Sequence, residues 1–375
     1  MGKSLNEIAQ DLKAVTKKVQ LLYAFNGTGK TRLSREFKEL LAADINTGDD
    51  DDAEASELSS KNILYYNAFT EDLFYWDNDL NGDEDRKLKI HPNAFTKWVL
   101  EEQGQDQNIV QHFQNLTGSK VTPEFGVDFS AVSFSMPNGD AELLQNLKIS
   151  KGEESNFIWS VFYTLLDLIV DVLNVPEPED RETQQFNQLK YVFIDDPVSS
   201  LDENHLIQLA VNLGRLIKSS ESDLKFIVST HNPLFYNVLY NEVKAKSGYI
   251  LSKFDDGTFE LEEKKGDSNK SLSYHLHIKK LIEQAIDSNS VQRYHFALLR
   301  NLYEKTAGFL GYDKWSDLLP GDQKAYATRI MNFYPHNTLP NEQIAEPTGP
   351  EKEMVSLLLG NLNQFGYLQQ EAQND

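Results

Sequence analysis

Tyr191, Val192, Phe193 and Ile194 run directly into two adjacent acids, Asp195 and Asp196, and then into a Pro-Val-Ser-Ser-Leu-Asp turn. An uninterrupted apolar run of this length reads as a strand buried on both faces of a parallel sheet, and such sheets present their ligands at the carboxyl ends of the strands. The strand therefore delivers two carboxylates to a binding edge. An acid there can hold Mg²⁺ bound to nucleotide phosphates, and a second can polarise an attacking water. Asp195 is assigned to the metal and Asp196 to the water.

A second stretch makes the same demand. Val19 to Thr31, VQLLYAFNGTGKT, reads as a strand, a glycine loop and the start of a helix. Asn26, Gly27, Thr28 and Gly29 leave backbone N–H groups free to close around phosphate, and the helix N-terminus adds its positive dipole. Lys30 reaches the β- and γ-phosphates, Thr31 ligates Mg²⁺, and the helix they open runs through Arg32 to Leu41. The usual pattern begins with Gly where this chain has Ala24.

Further along, Ser150, Lys151, Gly152 and Glu153 precede the apolar run Phe157 to Val175, making another phosphate-binding corner or a simple helix cap. Asp167 and Asp171, spaced i and i+4, mark one wet face on that run and argue for a core helix rather than a membrane span. Ser200-Leu201-Asp202 follows the double acid, and LKFIVSTHNP places His231 just past another buried strand. In order and spacing these segments resemble the ATPase heads of the ABC type. That resemblance implies a mixed α/β sheet, Mg²⁺ with ATP or GTP, and two heads sandwiching nucleotide. In it Ser150 to Glu153 contact the γ-phosphate held by the opposite subunit, Asp202 lies in the turn crossing the dimer interface, and His231 senses the γ-phosphate. The usual sensor Gln is absent from Ile63 to Leu80, with Asn67 or Glu71 as stand-ins.

Composition sets outer bounds. With 375 residues the chain has room for about two domains. No cysteine is present, which excludes disulfides and thiolate metal sites and suits the cytoplasm. The N-terminal segment carries no apolar signal core. A net charge of −22 argues against a surface that binds polyanions everywhere. From Glu263 to Tyr334, however, 11 Lys plus Arg stand against 8 Asp plus Glu, so nucleic acid is expected there. The acidic run from about 48 to 60 reads as a solvated loop. A hairpin from Gly248 to Glu263 closes the first domain, dividing the chain into an NTPase domain, 1–262, and a mainly helical domain, 263–375.

The C-terminal domain opens on KKGDSNKSLSYHLH, which mixes cations with aromatic and imidazole groups in an RNA-like composition. Tyr294 to Leu310 reads as a helix with Phe296, Leu299, Tyr303 and Leu310 as its core stripe. Arg300 and Glu304 lie one turn apart on another face, and His336 follows in a Pro/Asn loop. An acid, a base and a guanidinium are sufficient to cleave RNA through its own 2′-hydroxyl without metal.

YAFNGTGKTRLSR, ILYYNAFTEDLFYWDNDL, ISKGEESNFIWSVFYTLLD, KYVFIDDPVSSLD, GDSNKSLSYHLH and RYHFALLRNLYEKTAGFLGY together resemble the bacterial anticodon nuclease family over nearly the full length. The resemblance implies cleavage of the tRNA-Lys anticodon loop next to the wobble base, leaving a 2′,3′-cyclic phosphate and a 5′-hydroxyl. It puts the catalytic Arg, Glu and His on Arg300, Glu304 and His336. It puts substrate recognition on Lys264, Lys265, Asp267, Ser268, Lys270, Tyr274, His275 and His277, with Asp267 at the wobble base. It further implies a type I restriction-modification complex as partner, release during phage infection, and an ATPase head acting as the switch. The stretch ahead of Val19 is shorter than the resemblance leads one to expect. The alternative is an ABC- or SMC-like regulatory or DNA-repair ATPase whose C-terminal domain only binds a partner. SMC-type heads would need coiled-coil arms between Thr31 and Ser150, and no sustained heptads lie there.

Overall fold

The computed structural model describes residues 2–45, 62–80, 82, 84–138, 143–197, 201–254, 256–265, 274–321, 324–325, 327–329, 331 and 347–365. The chain forms two compact units, Met1–Gly266 and Asp267–Asp375.

The first unit begins with α1 (Leu5–Ala14), started by a capping box in which the Ser4 hydroxyl accepts from the Glu7 amide at 3.2 Å. Leu5, Ile8, Ala9 and Leu12 form its buried stripe. It ends at Ala14, because Val15 is already extended and the chain must enter β1 (Val19–Tyr23). The glycine loop leads into α2 (Lys30–Ile45). β2 (Ile63–Tyr66) follows, then a 3₁₀ turn (Ala68–Leu73), β3 (Phe74–Asp77) and β4 (Lys87–Ile90). The short α3 (Ala94–Lys97) and α4 (Asp106–Thr117) precede β5 (Thr122–Phe125), β6 (Ala131–Pro137) and β7 (Leu143–Leu144). The rest of the unit is α5 (Lys151–Asn174), β8 (Tyr191–Asp195), α6 (Glu203–Ser219), β9 (Lys225–Thr230), α7 (Pro233–Glu242), β10 (Ser247–Lys253) and β11 (Phe259–Lys265).

The main sheet has the order β11-β10-β1-β9-β8-β2, parallel except for β11. β1, β8 and β9 are side by side, with Val19 opposite Phe226 and Tyr191 opposite Lys225. Consequently the glycine loop, the double acid and His231 all leave the sheet at the same edge. The 262 boundary expected from sequence falls inside β11, which stays paired with β10 as far as Lys265 opposite Ser247.

A second, antiparallel sheet has the order β3-β4-β6-β5, with β7 paired to β6. Ile63 to Leu80, expected to run from a strand into a surface loop, instead crosses from the first sheet to the second. Phe74 and Trp76 explain this, since their rings pack on Phe157 and Phe134 with centroids 6.1 and 5.9 Å apart. α5 is long and apolar enough to cross a membrane, yet 78% of its most apolar stretch is buried within the protein. Asp171 lies on its exposed face and Asp167 is half-buried.

Under the phosphate loop, Phe193 of β8 is fully buried, its ring 5.7 Å from Phe37 of α2 and 6.2 Å from Tyr65 of β2. Phe193→Ala leaves a cavity directly beneath Asp195, and a loss of about 3–5 kcal/mol is expected. Urea unfolding of the full chain measures it; a loss below about 1 kcal/mol would show that this packing does not support the site.

In the second unit the described elements include α8 (Tyr274–Asp287), α9 (Arg293–Leu310), a 3₁₀ turn (Trp315–Leu318), α10 (Gly349–Asn361) and a second 3₁₀ turn (Leu362–Phe365). Ile278, Ile282, Phe296, Leu299, Tyr303 and Leu358 are central to its core. Leu310, expected in the core stripe of α9, is 38% exposed. Gly311 ends the helix in the left-handed conformation at φ 79°, so the last turn overhangs the core.

Candidate functional site

The phosphate loop is built as its sequence requires. The Ala24 amide donates to the Thr230 carbonyl at 3.0 Å, fixing the loop to β9, and Ala24 itself is fully buried. Gly27 and Gly29 have φ of 79° and 103°, values that glycine adopts without strain. Asn26 and Thr28 complete the turn, Arg32 points to solvent, and Lys30 is folded back over it. The Lys30 ammonium donates to the Ala24 carbonyl at 3.2 Å and to Asn26 Oδ1 at 3.4 Å, and stands 3.6 Å from Asp196 Oδ2.

Asp195 accepts from the Thr31 hydroxyl at 2.7 Å and the Ser229 hydroxyl at 2.5 Å. Burial raises its pKa above the ordinary carboxylate value, and those two hydrogen bonds offset part of the shift. Asp196 has φ 55°, a left-handed backbone that Asp tolerates better than most side chains. This twist turns the carboxylate away from its neighbour, toward Lys30, Thr230 and His231. The Thr230 hydroxyl donates to it at 3.2 Å, and His231 Nδ1 is 2.6 Å away. Burial pushes the Asp196 pKa up, but the His231 hydrogen bond and charge and the Lys30 ammonium outweigh burial and hold it below the ordinary value.

A depressed carboxylate stabilises the fold above its unfolded pKa, and that stabilisation is lost as pH falls through the folded pKa. Asp196→Asn is therefore expected to be less stable than wild type at pH 7. The gap closes as pH falls below the ordinary carboxylate value of 3.8. Urea titrations across that range check it, and a gap that does not vary with pH would refute the charge argument.

The donor set fits a nucleotide with Mg²⁺: a glycine turn and a lysine for phosphate, and hard oxygens from Thr31 and Asp195 for the ion. When bound, Mg²⁺ neutralises charge developing on the phosphates. Two features complete the setting, and of their residues Ser229, Tyr65 and Ser34 are not singled out from the sequence. Ser229 anchors Asp195, its signal being a hydroxyl one residue from the end of a buried strand. Behind the loop, Asn67 Nδ2 donates to the Tyr65 hydroxyl at 2.8 Å, and that hydroxyl lies 2.6 Å from Ser34 Oγ, which in turn donates to the Thr31 carbonyl at 2.9 Å. Asn67 thus lies just past the end of β2, which pairs with β8. The Glu71 side chain lies outside the described residues.

Ser150 caps α5, its hydroxyl accepting from the Glu153 amide at 3.3 Å while the Glu153 carboxylate closes the capping box. Lys151 pairs with Glu154 at 2.7 Å, and Gly152 belongs to the same first turn. Asp202 caps α6 and accepts from the His205 amide at 3.0 Å, the main cause of its lowered pKa. Ser200 and the acidic run from about 48 to 60 lie outside the described residues.

In the second unit Arg300 Nε donates to Glu304 Oε1 at 2.8 Å across one turn of α9. His275 is on α8, and burial, with Lys305 nearby, lowers its pKa, so it is neutral at pH 7. Lys264 is on β11 of the first unit and pairs with Glu262 at 3.0 Å. Lys265 ends that strand, and Tyr274 and His277 belong to α8, but the side chains of these three lie outside the described residues. Asp267, Ser268, Lys270 and His336 lie outside them altogether.

A buried-strand acid joined to the hydroxyl that follows a glycine-loop lysine defines a nucleoside triphosphatase built on a mixed sheet. A family model described as an AAA domain matches residues 141–337. An anticodon nuclease of Escherichia coli is 61% identical over the whole of both chains. The chain belongs to the anticodon nuclease family and carries an AAA-type NTPase domain. Among solved structures, the SMC head domain from Thermotoga maritima is 12% identical, covering 67% of this chain and 90% of that one at a TM-score of 0.32. An SMC head with coiled coil bound to a ScpA domain, from Pyrococcus furiosus, is 13% identical at a TM-score of 0.29, covering 70% and 48%. Those scores are too low to weigh in the assignment.

Proposed function

We propose that this chain is a nucleotide-regulated ribonuclease that cleaves the anticodon loop of tRNA-Lys next to the wobble base. The observation that carries the reading is the Arg300–Glu304 pair, set on one face of α9 in a chain 61% identical throughout to a protein described as an anticodon nuclease. Cleavage proceeds by attack of the ribose 2′-oxygen on the adjacent phosphorus. The P–O2′ bond forms and the P–O5′ bond breaks, leaving a 2′,3′-cyclic phosphate and a 5′-hydroxyl. Of Glu304 and His336, one accepts the 2′-hydroxyl proton and the other protonates the leaving oxygen, while Arg300 stabilises the phosphorane charge. No step of this scheme calls for a metal.

Lys264, Lys265, Asp267, Ser268, Lys270, Tyr274, His275 and His277 supply anticodon recognition, with cations for phosphate and rings for bases. The head works as the switch: ATP or GTP with Mg²⁺ binds at Lys30, Thr31 and Asp195, Asp196 orients water, and His231 senses the γ-phosphate. Ser150 to Glu153 and Asp202 serve a dimer of heads. The setting is cytoplasmic phage defence, with a type I restriction-modification complex as the partner.

The test is the chemistry of the ends. After incubation of total bacterial tRNA with full-length protein and NTP, new 5′ ends are expected to accept label from polynucleotide kinase without prior phosphatase treatment. Ends bearing 5′-phosphate would overturn the proposed chemistry.

A further inference from the structure

Arg300 is held on its face as well as its edge. Its guanidinium carbon lies over the Trp315 ring, 5.5 Å from the centroid, while Nε donates to Glu304 at 2.8 Å. Trp315 opens the 3₁₀ turn Trp315–Leu318, half-buried, and meets Tyr303 edge-on with centroids 6.5 Å apart. Tyr303 is fully buried and its hydroxyl donates to the Leu358 carbonyl at 2.8 Å. Asn361 Nδ2 donates to the Tyr303 hydroxyl at 3.1 Å and to the Leu318 carbonyl at 2.9 Å. The far end of the turn carrying Trp315 is thereby tied to both α9 and α10. An indole fixed in this way holds the guanidinium near its π face by a cation–π contact.

From this geometry we infer that Trp315 is a positioning residue of the RNA-cleaving centre, orienting Arg300 through the guanidinium–indole stack. The inference rests on the role proposed above for Arg300. A planar fork stabilises phosphorane charge only if its donors already point at the equatorial oxygens, so the π face of Trp315 acts on turnover rather than on tRNA affinity. If Trp315 merely filled space against Tyr303, its loss would weaken folding and leave the chemistry of folded molecules unchanged.

The test uses full-length Trp315→Leu, Trp315→Phe, Arg300→Lys and the Trp315→Leu/Arg300→Lys double variant, each with total bacterial tRNA. Trp315→Leu is expected to lower kcat about 10–100-fold, with KM within about twofold and NTP hydrolysis unchanged. Trp315→Phe, which keeps a π face, should restore kcat to within about threefold of wild type. In the Arg300→Lys background Trp315→Leu should add little, because the stack it removes is already gone. Wild-type kcat in Trp315→Leu, an equal loss in both Arg300 backgrounds, or a Phe variant as poor as Leu would overturn the inference. So would variants that only melt earlier, with kcat per folded molecule unchanged. Full cleavage by Arg300→Ala is a different failure, since it removes the nuclease assignment itself.

Discussion

Arg300→Ala and Glu304→Gln are each expected to lower tRNA cleavage by about 10²–10³-fold while leaving NTP hydrolysis within about twofold of wild type. The size follows from the roles proposed for them: Arg300 stabilising charge that develops only in the transition state, and Glu304 transferring a proton there. The selectivity follows from placement, since both residues belong to the second compact unit and the nucleotide site to the first. Stability should hardly change. The pair is partly exposed, at 20% and 43% for the two side chains, and Arg preceding Glu is the weaker order on a helix, worth a few tenths of a kcal/mol. Parallel cleavage and phosphate-release assays measure the split. Equal loss of both activities would mean that the two units act as a single catalytic body, and loss of neither would favour a C-terminal domain that only binds a partner.

Lys30→Ala is expected to weaken NTP binding and lower hydrolysis by about 10²–10³-fold. Lys30 is 8% exposed and is the cation facing Asp196 at 3.6 Å. Its removal takes away the ammonium at the loop and leaves the partly buried Asp196 carboxylate with its hydrogen bonds to Thr230 and His231. Nucleotide-stimulated tRNA cleavage is expected to disappear as well, although Arg300 and Glu304 are intact. Binding of labelled ATP and GTP, followed by cleavage with and without nucleotide, separates the two losses. A variant that binds and hydrolyses nucleotide normally would contradict the assignment of the loop.

Local signals carried much of this in the sequence. Tyr191 to Asp195 is a strand because four apolar residues precede an acid, and the Asn26 to Thr31 loop is legible because glycines occupy the two positions that need positive φ. What the sequence does not display is pairing between distant segments. Nothing near Phe74 shows that it crosses to a second sheet, because its partner strand is Lys87 to Ile90 and its ring packs on Phe157 of α5. The left-handed backbone of Asp196 is likewise invisible, since Asp is not glycine and the twist is held by Lys30, Thr230 and His231 from two other elements. Arg300 and Glu304 are a visible i, i+4 pair. Trp315, Tyr303 and Asn361 around them are ordinary residues in the sequence, and become a support only where α9, the 3₁₀ turn and α10 meet.

The central claim is that a nucleotide-operated head controls a ribonuclease centre specific for one anticodon loop. Mapping new 5′-hydroxyl ends across total bacterial tRNA, with and without ATP or GTP, for wild type and His336→Ala, tests it most directly. The expected result is nucleotide-dependent cuts confined to the tRNA-Lys anticodon loop beside the wobble base, and none with His336→Ala. Cuts spread over many tRNAs, or intact tRNA under every nucleotide condition, would contradict it.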